Sequence, residues 1–335
     1  MAEPVEMIAK ACFRCLTALA AALPICATAL ADDRGDADFG AWLALLRAEA
    51  GARGISAPTL DAAFAGIRPI ARIIELDRNQ PEGRISFAQY RARVLPASRF
   101  AAARARLARH RAVLDEVAAR FRVQPRFIVA LWGLESDFGR YTGGFSVIGA
   151  LTTLAYDGRR GAFFRGELID ALRILEDGQI DAAAMTGSWA GGMGQSQFLP
   201  SSYHRYAVDF DGDGRRDIWD TPGDVFASIA NYLHQFGWRD DQTWGRAVRL
   251  PAKFDPALID LAVIKPIGDW QTLGLRRADG TDLPRRALPA SVIQPDGAGG
   301  QAYLVYDNFR TTLKWNRSIY GALAVGMLAD GLVGR

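Results

Sequence analysis

Glu135 is the residue best placed by its surroundings to move a proton. It lies in Pro125-Arg-Phe-Ile-Val-Ala-Leu-Trp-Gly-Leu-Glu-Ser-Asp-Phe-Gly139, a stretch that reads as an apolar helix opened by a proline and closed near a glycine. Its neighbours are Leu131, Trp132, Leu134 and Phe138. A carboxyl group in apolar surroundings tends to keep its proton, because desolvation disfavours the charged form. A proton-holding glutamate beside aromatic rings suits a general acid at neutral pH. The plain alternative is a solvated glutamate at a frayed helix end. A second constellation is Asp209-Phe-Asp-Gly-Asp-Gly-Arg-Arg-Asp-Ile-Trp-Asp220. Asp209, Asp211 and Asp213 take the first, third and fifth positions of a calcium loop, and Gly214 the sixth. Arg215 stands seventh, where that loop offers a backbone carbonyl, and Asp217 stands ninth. The last ligand is open between Asp220, at the twelfth position, and Asp224 beyond it. Carboxylates this close repel one another without a hard cation; the alternative is an exposed acidic turn softened by Arg215 and Arg216.

Other chemistries are poorly served. Cys12, Cys15 and Cys26 are the only cysteines, and all precede residue 32. Met7 to Arg14 gives a basic start, Leu16 to Ala31 is apolar, and Ala29-Leu-Ala31 fits a small-x-small cleavage site. We therefore expect a signal peptide over 1–31, export to the periplasm, and a mature chain without thiols or disulfides. A membrane anchor is the alternative, but the run is short and interrupted by Pro24. Lipidation at Cys26 is disfavoured by bulky Ile25 before it. His110, His204 and His234 are scattered, so neither a zinc site nor a Ser-His-Asp triad is expected, and each histidine reads as structural or exposed. A net charge of +3 is too mild to imply nucleic acid.

The elements that must position these groups are mostly helical. Two helices are expected between residues 36 and 66, a turn-rich stretch around Asp77–Gly83, and a helix ending near Pro96. Residues 98 to 122 read as one long basic helix, with Arg104, Arg106, Arg109 and Arg111 on a solvated face. Further helices are expected over 150–155, 163–175, 225–236 and 320–332. Between them, Gly191, Gly192 and Gly194 lack the strand and lysine of a phosphate loop. They fit a tight turn of close-packed backbone, or a floor for a flat ligand, with Ser188, Gln195 and Gln197 suited to sugar. From Arg246 to about 295, short apolar runs separated by Pro, Gly and Asp read as a small β module.

Taken in order, these motifs resemble the B-type lytic murein transglycosylases. The resemblance is carried by Glu135-Ser136, Gly191-Gly-Met-Gly-x-x-Gln-Phe-x-Pro-Ser-Ser-Tyr203, Tyr206-Ala-Val-Asp-Phe-x-Gly-Asp-Gly214, Asn231-Tyr232 and Asn308-Phe-x5-Trp-Asn316. It implies a mainly α (α+β) fold with a lysozyme-like helical core, an N-terminal helical domain and a small inserted β domain. The corresponding ranges would be 32–122 for the N-terminal helices, 123–245 for the core with the calcium loop, 246–298 for the β domain and 299–335 for a returning segment. It also implies cleavage of the N-acetylmuramic acid–N-acetylglucosamine bond to leave a 1,6-anhydromuramoyl end. Glu135 would be the acid/base, with Ser188, Gln197, Tyr232, Asn308 and Asn316 along the glycan. Trp315 stands where the family resemblance calls for a tyrosine. The implied metal set is Asp209, Asp211, Asp213, Arg215 and Asp224, holding a structural calcium ion, with no cofactor for catalysis. The implied partners are peptidoglycan glycan strands and proteins of cell-wall synthesis or division, with the chain itself a monomer. A hydrolytic muramidase, or a non-catalytic peptidoglycan-binding protein on the same fold, are the competing readings.

Overall fold

The computed structural model describes residues 33–79 and 85–334, with side chains from Asp38 onward. The expected signal peptide, its cleavage site and all three cysteines lie outside the described residues. No helix among the described residues is long and apolar enough to cross a membrane. The chain is mainly helical with two small antiparallel sheets. It divides into two compact units, each drawn from separate parts of the sequence: 85–141 with 206–334, and 33–79 with 142–205.

The first unit is built round the helix Pro125–Ser136, whose residues Phe127 to Leu134 are all buried. A helix apolar on every side must be covered on every side. The helices Ala97–Arg109, Arg111–Phe121, Pro222–Gln235 and Ile319–Gly331 pack against it. Proline opens it, where a missing N–H costs nothing. It closes on Asp137, Phe138 and Gly139, all with positive φ (50°, 61° and 82°). Two of these are not glycine, which is uncommon in the left-handed region. The Phe138 ring folds back over Gly133, where a Cβ would lie 2.5 Å from ring carbon Cε1. Ser136 Oγ donates to the Trp132 carbonyl and accepts from the Gly139 N–H, so the reversal is satisfied locally.

The long helix expected over 98–122 is instead two helices that break at His110 (φ −104°, ψ 20°). Periodicity alone could not reveal this, because both halves keep the helical repeat. The His110 ring makes edge contacts with Trp132 (5.6 Å) and Phe226 (5.3 Å), which ties the bend to the core. Burial, and then the charges of Arg109 and Arg106, hold the imidazole below its ordinary pKa and favour the neutral ring.

A five-stranded antiparallel sheet completes this unit. Its spatial order is Lys265–Pro266, Pro289–Ile293, Ala302–Val305, Gly245–Arg249 and Arg276–Arg277. The two outer strands have only 2 residues each and carry Lys265, Pro266, Arg276 and Arg277. Beneath the sheet, Trp270 is fully buried among Val248, Leu275, Val292 and Leu304, and its indole donates to the Ala290 carbonyl.

In the second unit, the helices Val147–Asp157 and Gly161–Glu176 form a hydrophobic pair. The helices Ala57–Ala63 and Ala71–Arg78 lie against them. Asp77, 2% exposed, is clasped by Arg159 and Arg160 at the turn joining the pair. A two-residue antiparallel ladder pairs Phe145–Ser146 with Thr186–Gly187, with both helices of the pair between them in sequence.

Candidate active site and calcium loop

Glu135 is half-buried in the last turn of Pro125–Ser136. The Trp315 indole Nε1–H donates to its Oε1 at 2.7 Å. Trp315 is the last residue of the helix Asp307–Trp315 and is only 1% exposed, so the donor is fixed by packing. Tyr232 packs edge-on to that indole at 4.8 Å, while its hydroxyl donates to the Lys314 carbonyl at 2.6 Å. Tyr232 thus grips both the ring of Trp315 and the backbone just before it. Sequence reasoning placed Tyr232 along the ligand and marked Trp315 only as standing where a tyrosine was expected. The available signal was an aromatic N–H donor at the end of an apolar-faced helix, which says nothing of its partner 180 residues away.

Replacing Trp315 with Phe keeps a buried ring and removes the donor. A hydrogen bond to a charged group is worth about 1.5–3 kcal/mol, so kcat is expected to fall by roughly 10- to 100-fold with KM little changed. Steady-state turnover in the reaction that the family resemblance implies measures both, and an unchanged kcat would remove Trp315 from the positioning of Glu135.

The other sequence-derived positions fall differently. Asn308 is fully buried: its Nδ2 donates to the Arg239 carbonyl at 2.7 Å and the Gln242 carbonyl at 3.2 Å, and its Oδ1 accepts from the Arg239 N–H. Its carboxamide is therefore committed to the 239–242 turn, which is a positioning role rather than a ligand contact. Asn316 is half-buried directly after Trp315, and its Oδ1 accepts from the Ser318 N–H. Asp137, the carboxylate nearest Glu135 in sequence, is engaged by Arg99 and Arg140.

In the second unit, Ser188 and Gln197 belong to the glycine loop. Ser188 Oγ accepts from the Gly192 N–H at 2.9 Å, and Gln197 Nε2 donates to the carbonyls of Thr142 and Gly194. The glycines are required by contact. A Cβ on Gly143 would lie 2.0 Å from the Gly187 carbonyl oxygen, and one on Gly187 would lie 2.2 Å from that of Gly192. Gly143 and Gly187 thus allow close backbone packing beside the loop, while its own Gly191 and Gly192 face side chains, a Cβ there lying 2.5 Å from Leu151 Cδ2 and 2.9 Å from Ser188 Oγ. Asp157 is held by Arg78 at 2.8 Å. His204 meets the Asp170 carbonyl at 2.9 Å, the structural role expected of it.

The aspartate loop lies in the first unit. Carboxylate oxygens of Asp209, Asp211 and Asp213 come within 4.8 Å of one another. The loop is pre-shaped by its own N–H groups: Asp209 accepts from Gly212 and Gly214, and Asp213 from Arg215. Asp224 is fully buried, accepts from the N–H groups of Phe210 and Asp217, and so closes the loop from the first turn of the following helix. Burial, with the charges of Asp211 and Asp209, pushes its carboxyl up despite these two donors. Asp220 is exposed. Three clustered hard oxygens beside a buried carboxylate suit a divalent cation with oxygen preference.

Together these features define a lysozyme-like helical protein with a single glutamate at the end of its central helix and a calcium-type loop. The chain belongs to the family described as Transglycosylase SLT domain, which matches residues 38–330. It is 36% identical over 223 residues to membrane-bound lytic murein transglycosylase B of Escherichia coli K12, covering 63% of this chain and 57% of that protein. It thus spans little more than half the length of that relative. Among solved structures it resembles SltB3 of Pseudomonas aeruginosa in complex with NAG-anhNAM-pentapeptide. That match has a TM-score of 0.86 at 48% identity and covers 88% of this chain and 80% of that one. It also resembles the Escherichia coli lytic transglycosylase Slt35 in complex with calcium, with a TM-score of 0.74 at 28% identity, covering 86% and 91%.

Proposed function

We propose that this protein is an exported peptidoglycan lytic transglycosylase. It cleaves the β-1,4 bond between N-acetylmuramic acid and N-acetylglucosamine and leaves 1,6-anhydromuramoyl ends. The observation that carries the reading is one half-buried glutamate held by an indole N–H, with the neighbouring Asp137 turned to arginines. Hydrolysis of the lysozyme type ordinarily uses two carboxylates flanking the bond. One suffices when the sugar supplies the nucleophile. Glu135 gives its proton to the leaving glycosidic oxygen. Its carboxylate then takes the proton of the muramoyl C6 hydroxyl as that oxygen closes on C1. The Trp315 N–H fixes the carboxylate through both steps.

Ser188, Gln197, Tyr232 and Asn316 are the proposed glycan contacts, each within its own unit, and Asn308 supports the fold. The ranges 32–122, 123–245, 246–298 and 299–335 remain the proposed domain division. Periplasmic location, a cleaved leader, a monomeric state and association with cell-wall synthesis or division proteins belong to the same proposal.

Digestion of purified sacculi followed by mass spectrometry of the muropeptides tests the chemistry. Anhydro-muramic acid at the new ends is expected. Reducing ends alone would replace the reading with a hydrolytic muramidase, and binding without any released product would replace it with a peptidoglycan-binding protein.

We further propose that Asp209, Asp211 and Asp213, the Arg215 carbonyl and Asp224 hold a structural calcium ion. A ligand that binds only the folded state stabilises it by about 2.7 kcal/mol at 100 times its Kd. Chelation should lower the melting temperature and calcium should restore it, while Asp211→Ala should be insensitive to both. Identical melts under all conditions would defeat the assignment.

A further inference from the structure

Among its described residues, the first unit exposes two large phenyl or phenol rings, Tyr141 at 53% and Phe236 at 37%. Phe236 is explained by packing, since its ring meets those of Tyr232 at 4.7 Å and Tyr206 at 5.6 Å. Tyr141 has no such cause. Among the described residues its ring meets no other aromatic ring and its hydroxyl makes no hydrogen bond. A single exposed ring is ordinary on a protein surface. What sets Tyr141 apart is where it stands and how it is held.

It follows the reversal that closes the central helix just after Glu135. Had the helix continued, residue 141 would lie about 7.5 Å further along the axis than Ser136. Instead the Tyr141 N–H donates to the Ser136 carbonyl at 2.9 Å, which returns it to the turn that carries Glu135. Three consecutive residues of positive φ make that return, and two of them, Asp137 and Phe138, are not glycine. Backbone of this kind costs free energy and persists where the surrounding structure fixes it, most often at functional sites. The side chain is steadied as well. The Arg140 guanidinium lies 5.5 Å from the centre of the Tyr141 ring, and a cation is attracted to the negative face of such a ring. Arg140 is itself anchored, its Nη1 lying 3.4 Å from Asp137 Oδ2, while Arg99 meets Oδ1 of the same carboxylate.

A steadied, solvent-facing phenol beside a proton-transfer group fits a sugar ring. A pyranose presents a face of C–H bonds, apolar and slightly positive, that matches the negative face of the phenol. The phenol hydroxyl is left to bond a sugar hydroxyl or N-acetyl group. We propose that Tyr141 is a stacking platform for a sugar ring of the glycan strand, next to the bond presented to Glu135, and so helps to set where the strand is seated. The identity of the polymer rests on the proposed function above; the platform rests on the position of the ring.

Calorimetric binding of a soluble tetrasaccharide of alternating N-acetylglucosamine and N-acetylmuramic acid tests this, with the full chain carrying Glu135→Gln to prevent turnover. Adding Tyr141→Leu, which keeps apolar bulk without a ring, is expected to raise Kd about 10-fold, or about 1.4 kcal/mol. Tyr141→Phe should weaken binding by less than about 3-fold, and Tyr141→Trp should hold or gain affinity, because the ring supplies the contact. With Glu135 intact, Tyr141→Leu should raise KM about 10-fold and change kcat by less than about 3-fold, as for a contact equal in ground and transition states. Tyr141→Ala should behave as Tyr141→Leu, and thermal melts matching wild type would show that the variants fold. Undiminished binding in Tyr141→Leu, equal losses in Tyr141→Phe and Tyr141→Leu, or no binding of the saccharide by the Glu135→Gln parent would each overturn the proposal. Anhydro ends formed by Tyr141→Leu with unchanged KM would remove the platform and leave the proposed function. Ring-dependent binding by a chain that releases no anhydro ends with Glu135 intact would leave the platform and remove that function.

Discussion

Glu135→Gln is expected to lower kcat by about 10²- to 10⁴-fold, the usual contribution of a positioned acid/base, while the protein still folds and still binds sacculi. Gln is close to isosteric and can accept the Trp315 N–H through its amide oxygen, so the pocket should keep its shape. What disappears is the exchangeable proton. Because one carboxyl is proposed to serve both halves of the reaction, no step survives on a partner residue. A loss of less than 10-fold, with an intact melting curve, would mean that another group moves the proton. Comparing the two variants separates the effects: Trp315→Phe leaves the acid and loosens it, whereas Glu135→Gln leaves the position and removes the acid.

The second large effect concerns stability. Asp77→Ala is expected to destabilise the unit containing it by about 3–5 kcal/mol, the range for removing one partner of a buried ion pair. The carboxylate is 2% exposed, and Arg160, with only 12% of its side chain exposed, would be left without it. Arg159 is half-exposed and can turn to water. Burial alone would raise the Asp77 carboxyl, but the hydrogen bonds and charges of Arg159 and Arg160 outweigh it and hold the group below its ordinary value. The sign of the pH dependence follows. An aspartate depressed in the fold contributes its full stability above its unfolded pKa, about 3.9, and loses it as pH falls through the lower folded value. The gap in melting temperature between wild type and Asp77→Ala should therefore be constant at neutral pH and narrow below about pH 4. A gap that is constant down to pH 2 would show that the carboxylate is not held by charge.

The Glu135 helix could be read from sequence because its cues are local: a proline at its start, an unbroken apolar run and a glycine at its end. The calcium-type loop was equally legible, since its ligands fall at fixed steps along one segment. The break at His110 was hidden, because helical spacing continues through it and the cause lies in Trp132 and Phe226, distant in sequence. The donor to Glu135 was hidden for the same reason. Motif matching placed Asn308 along the ligand, but a motif reports that a carboxamide is needed, not what it bonds. Only the fold shows that the 239–242 turn claims it. The β module was visible as texture, yet its strand order, with Ala302–Val305 between Pro289–Ile293 and Gly245–Arg249, depends on pairings that periodicity does not encode.

That sheet also bears on how the folded protein stays apart from its own copies. Its open flanks are where another chain would dock by strand addition, the usual first step towards insoluble aggregates. Here both flanks are two-residue strands, one ending in a proline that cannot donate to a ladder and the other made of two arginines that would repel an identical neighbour. Of the hydrophobic strands that could template such growth, Ala302–Val305 is paired on both sides, and Pro289–Ile293 pairs through its first two residues with Lys265–Pro266 and through its last three with Ala302–Val305. The sheet therefore carries its own protection against self-association.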